Sequence, residues 1–174
     1  MDQRLAFKLF EEVRQQCQFG KHAWRNLRSN LNALDSNQVF FYVHAFLHHS
    51  VNISRFLWPD RESSKGRGDQ MRKELGVQED SPLRMANLRK LLEHFDERLE
   101  NWAANLENRD YVDMNIMPQG TMSDFKTDTF HRSIDPEVYQ LELQGQRCDL
   151  RAIAKAQREL EEKIDHWLKK NNPW

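Results

Sequence analysis

Apolar residues recur along the first 34 positions at steps of four and three: Ala6, Phe10, Val13, Cys17, Gly20, Trp24, Leu27, Leu31 and Leu34. That spacing draws one seam down a helix, and Gly20 lies on it with no proline nearby, which predicts an unbroken helix with a close crossing at the glycine. Asp35 followed by Gln38 forms a capping-box pattern and opens a second helix that runs to about Trp58, where Pro59 stops it. This second helix is apolar almost all round, from Val39 and Phe40 through Phe46, Leu47 and Val51 to Leu57, the signature of a central bundle element. A polar, glycine-containing connection follows over residues 60–80, with at most a short helix from 69 to 75. Ser81 as cap and Pro82 at the first helical position predict a third long helix over residues 82–106, its core face being Leu88, Leu91, Leu92, Phe95, Leu99, Trp102 and Leu106.

Beyond Tyr111 the period changes. Turn residues give way to alternation around Asp135-Pro136, which predicts a small β-hairpin over about 127–143. A last helix, capped by Asp149, turns Leu150, Ile153, Leu160, Ile164 and Trp167 inward. The expected fold class is all-α: a bundle of four long helices plus short elements, with a β-hairpin before the C-terminal helix, in one domain spanning 1–174.

Composition narrows the functional classes. The chain has 174 residues, 26 Lys plus Arg and 27 Asp plus Glu, for a formal net charge of -1, so no global basic field advertises nucleic acid. Residues 1–58 carry seven basic and four acidic side chains, leaving room for a local basic surface. Cys17 and Cys148 follow no metal-ligand spacing and suit a reduced interior. The longest apolar run, over residues 39–43, is too short to span a bilayer, so no membrane partner and a cytoplasmic location are expected.

Candidate chemistry is concentrated in two places. Arg89 and His94 lie on the third helix, separated by four residues, and an arginine with a histidine can hold a phosphodiester and move its protons. On the second helix His44, His48, Asn52 and Arg55 recur at steps of four, four and three, forming one polar stripe that needs solvent, a partner or a site. His44 and His48, one turn apart, could also hold a metal with His49, His94 or Asp96, but the glutamate of a zinc-protease helix does not follow the first histidine. Arg89 has a plain structural reading as well, an ion-pair face with Glu93 and Asp96. The aromatics fall on apolar faces, and Lys65-Gly-Arg-Gly is too short to cradle a phosphate, so neither a cofactor nor a resident metal is expected.

The segment Arg89-Lys-Leu-Leu-Glu-His94, followed by Phe95-Asp-Glu-Arg98, resembles the Arg-x4-6-His motif of the HEPN superfamily, helical bundles that include bacterial ribonuclease toxins. The order of elements, two long helices, a connection and then the motif helix, is similar too. That resemblance implies metal-independent RNA cleavage at a composite site between two protomers, hence a homodimer, with a toxin or defence role under a regulatory partner protein. Arg89 would hold the scissile phosphate and His94 would serve as general acid or base. Lys90 stands where the family often has Asn, Asp or His; with the stripe of His44, His48, Asn52 and Arg55 it would contact substrate. On an ideal helix Arg89 and His94 lie roughly 140° apart, so they meet only through a second protomer or a local distortion. The alternative is a non-catalytic HEPN-like module that binds a nucleotide or a protein; a metal-binding bundle stands behind both.

Overall fold

The computed structural model describes residues 2–106, 112–118, 121 and 130–172. It is mostly helical, with six helices and a small sheet among these residues: α1 (Gln3–Ala33), α2 (Ser36–Leu57), α3 (Glu62–Leu75), α4 (Ala86–Glu93), α5 (Phe95–Ala104) and α6 (Leu150–Lys170), the strands β1 (Asn115–Ile116), β2 (Arg132–Asp135), β3 (Gln140–Leu143) and β4 (Gln146–Asp149) preceding α6. Three helices are long, and an all-α description omits the four-stranded sheet. The chain groups into two compact units, one of Met1–Arg25, Val43–Met85 and Ala152–Trp174, the other of Asn26–Tyr42 and Ala86–Arg151.

The first unit is helical. Phe10, Val13 and Cys17 of α1, Phe46, Leu47, Val51 and Ile53 of α2, and Leu160 and Ile164 of α6 are buried in it. Gly20 is where the seam predicts a close crossing: a Cβ there would lie 2.4 Å from Gln157 Oε1 of α6. Gln157 Nε2 donates to Ser50 Oγ at 2.6 Å, and that hydroxyl donates to the Phe46 carbonyl at 2.7 Å. A glycine on α1 thus admits a buried amide that ties α6 to α2.

The connection expected over residues 60–80 is largely helix. Gly68 brings α3 onto the turn before it, since a Cβ would fall 2.5 Å from Pro59 Cδ and 2.8 Å from the Leu57 carbonyl oxygen. Arg72 donates to that same carbonyl and pairs with Asp69 at 2.7 Å and Glu79 at 2.8 Å. Met71 and Leu75 are buried, and Gly76 closes the helix in a left-handed conformation. Few apolar residues mark α3, which is why a pattern of hydrophobic periodicity passes over most of it.

The second unit holds the ends of α1 and α2 with α4, α5 and the sheet. Asp35 Oδ1 accepts the Gln38 N–H at 3.1 Å, the predicted cap of α2. Leu34 departs from the seam: it ends α1 with φ of 54° and is 67% exposed. The third long helix expected over 82–106 starts at Ala86 and divides into α4 and α5 at His94. Residues 81–85 form a turn instead, with the Ser81 carbonyl accepting the Arg84 N–H at 2.9 Å. Of the predicted core face Leu88 and Leu91 are buried, Phe95 and Trp102 half-buried, and Leu99 exposed.

The predicted hairpin is one part of a sheet ordered β1-β2-β3-β4. Residues 127–129 of that prediction lie outside the described residues. Strands β2 and β3 pair antiparallel, as do β3 and β4, while β1 joins β2 in parallel. At the Asp-Pro turn the Asp135 carboxylate accepts the N–H groups of Glu137 and Val138 at 2.9 and 3.2 Å. Gln144 and Gly145, both at positive φ, make the two-residue turn between β3 and β4.

Candidate functional site

In the second unit the motif segment does not lie on one uniform helix face. Arg89 is only 5% exposed and sits with Leu88 and Leu91 on the buried side of α4. Lys90 beside it is exposed. His94 adopts φ -117° and ψ 40°, off the helical values, yet its N–H reaches the Lys90 carbonyl at 3.2 Å and its carbonyl accepts the Arg98 N–H at 3.0 Å. The chain therefore leaves regular helical geometry at His94, with these two backbone bonds bridging the break. The His94 side chain is 58% exposed, with Nδ1 3.5 Å from Glu97 Oε2. One partner of the motif is thus interior and the other faces solvent.

The polar stripe of α2 belongs to the first unit. His48 is exposed, and His44, Asn52 and Arg55 are half-buried. Asn52 Nδ2 donates to Gln16 Oε1 at 3.3 Å, and Arg55 Nη1 reaches Asn52 Oδ1 at 3.4 Å. His49, one residue off the predicted stripe, makes the shorter contact, 2.8 Å from Nδ1 to Gln16 Oε1. Its ring lies 5.2 Å from Phe19, which is 47% exposed, and 5.5 Å from His48. Burial first, then the charge of His48, lowers the His49 pKa. Gln16, Phe19 and His49 thus complete a surface that the α2 pattern alone reveals by half; Phe19 was legible as an apolar residue off the α1 seam.

A third cluster, in the second unit, has no forerunner in the sequence pattern. His131 is 3% exposed, with Nδ1 3.3 Å from Asp113 Oδ1 and Nε2 2.9 Å from the amide nitrogen of Gln144. Arg132 grips the same Asp113 carboxylate with two bonds, 2.8 and 2.6 Å. Burial works against the Asp113 charge, but the Arg132 bonds and charge outweigh it and hold the carboxyl below the usual range. For His131 burial dominates and lowers the pKa, aided by Arg132 and opposed by Asp113. Phe95 and Trp102 of α5 meet the imidazole at centroid distances of 5.5 and 4.9 Å.

The first unit also has an open groove of about 610 Å³ lined by Glu74, Glu162, Lys163, His166 and Trp167. Three of its polar groups are already engaged: Lys163 Nζ donates to the Gly76 carbonyl at 3.1 Å and Trp167 Nε1 to Glu74 at 3.2 Å. Among the described residues no group of three or more His, Cys, Asp or Glu is placed to hold a metal ion, and no helix is long and apolar enough to cross a membrane. Cys17 and Cys148 are both free thiols, and burial pushes Cys148 up to about 12, far from a reactive thiolate. No protein-family model, curated protein or solved structure matches this chain.

Proposed function

We propose that this chain is a HEPN-like helical module that binds a protein partner, in the first instance a second copy of itself, and does not cleave RNA. The burial of Arg89 carries the reading: a residue only 5% exposed, on the side of α4 that also buries Leu88 and Leu91, is placed to organise the helix and offers a phosphate little access. The surface that would take the partner is the α1 and α2 face bearing Phe19, His48, His49, Asn52 and Arg55, where exposed rings sit among amide and cationic groups. A net charge of -1 favours a protein over a polyanion. A two-fold pairing would set this face against its own copy.

The exposed His94 at the break between α4 and α5 favours a second reading, RNA cleavage at a composite site with Arg89 and Lys90. One experiment separates the two. Purified protein is incubated in EDTA with single-stranded and hairpin RNAs, beside sedimentation of wild type and Phe19→Glu. The binding reading expects intact RNA and a wild-type dimer that Phe19→Glu shifts toward monomer. Cleavage that His94→Ala abolishes would replace it with the nuclease reading, and a wild-type monomer at every concentration would remove the pairing.

A further inference from the structure

Both nitrogens of the buried His131 ring are occupied in a way that fixes its protonation. The amide nitrogen of Gln144 can only donate, so at 2.9 Å it requires a lone pair on Nε2, which leaves the ring proton on Nδ1 facing Asp113. The ring is neutral in this arrangement. A second proton would have to arrive on Nε2, directly against the Gln144 N–H group. Gln144 Oε1, meanwhile, is buried with no hydrogen-bond partner. Turning the amide over would bring that acceptor onto a protonated Nε2, so the site has a second arrangement available to a charged ring.

We propose that His131 is a proton-operated latch for α5: the neutral ring, held by Asp113 and Gln144, seats Phe95 and Trp102, and protonation at Nε2 turns the Gln144 amide and loosens α5. The groups that face the ring come from each neighbouring element. Asp113, ahead of β1, attracts a second proton, Arg132 of β2 repels it, Gln144 in the β3–β4 turn opposes it until the amide turns, and α5 brings the two rings. An aromatic face would attract the cation. Arg132, however, already donates two bonds to the Asp113 carboxylate, and a 3% exposed ring has lost its hydration. The folded ring binds its second proton less readily than an ordinary imidazole, in line with its lowered pKa. The seat is therefore whole above the ordinary imidazole range and is lost as pH falls below it. No side chain of α5 is fully buried, so its hold on the unit is open to a change at this one ring. The helix begins at Phe95, directly after His94, so the latch also sets how the exposed histidine is presented.

Hydrogen exchange of the α5 amides tests the latch on the whole chain, corrected for the intrinsic pH dependence of exchange. Wild-type protection over Leu99 to Ala104 should fall by up to about tenfold per pH unit as pH drops below the ordinary imidazole value of about 6.5 toward about 5. In His131→Phe protection should be flat across that window. Gln144→Glu, which offers Nε2 a carboxylate in place of the opposing N–H and keeps the backbone turn, favours the second proton and should move the fall to higher pH. Wild-type protection that ignores pH overturns the proposal, as does a fall that persists in His131→Phe. Should that variant not fold, Gln144→Glu titrating like wild type overturns it and a displaced fall sustains it.

Discussion

Gln157 in the first unit and His131 in the second are equally buried, 3% exposed each, and each joins pieces of chain remote in sequence. Gln157 cannot change charge. It donates to Ser50 and leaves Oε1 over the Gly20 backbone, so its node answers to shape, the room left by one missing Cβ. His131 is set between a carboxylate, an amide and two rings, so its node answers to protons as well as shape. Equal burial thus gives two kinds of sensitivity, and the exposed His94 directly precedes α5, the helix that meets the proton-sensitive node.

The largest break in that comparison should come from His131→Ala. Removing the ring leaves a void beside Phe95 and Trp102 and takes a donor from Asp113, a loss of roughly 3 kcal/mol in urea unfolding at neutral pH. It should also remove part of the pH dependence. In wild type His131 and His49 both have lowered pKa values, so the unfolded chain binds more protons and stability falls as pH drops below the ordinary imidazole range. The variant keeps only the His49 share, and an unchanged slope between the two proteins would contradict this assignment. Gly20→Leu comes next. The new side chain must evict Gln157 from its place against α1, at a cost of about 2 kcal/mol, the same at neutral and mildly acid pH.

How far each node could be read from sequence follows from how it is built. Gly20 and Gln157 both stand in helical register with buried neighbours, Gln157 four residues after Ile153 and three before Leu160, so periodicity exposes the first node. Asp113, His131 and Gln144 lie outside the regular elements, at positions fixed by pairing between strands, and no local period brings them together. The ion-pair face read for Arg89 with Glu93 and Asp96 presumes an outward residue, and the burial of Arg89 on the Leu88 and Leu91 side of α4 is a tertiary fact. The break at His94 has neither Gly nor Pro to announce it, and its one trace is Asp96 and Glu97, the acidic first turn of a new helix. The α2 stripe was legible because four and three are helical steps, whereas Gln16 and Phe19, which complete its surface, lie on another helix.

The smallest expected effect sharpens the contrast most. Gln157→Leu keeps nearly the same volume, removes the buried Oε1 that has no partner, and leaves the Ser50 hydroxyl bonded to the Phe46 carbonyl. The lost Gln157 to Ser50 bond and the gained apolar contact nearly cancel, so stability should stay within about 1 kcal/mol of wild type. Its difference from wild type should also be the same at neutral and mildly acid pH, because nothing at that node titrates. A loss above about 2 kcal/mol would mean that the amide, and not the space opened by Gly20, holds α6 to α2. A pH-dependent difference would mean that the shape-sensitive node is coupled to a titrating group, and the distinction between it and His131 would fail.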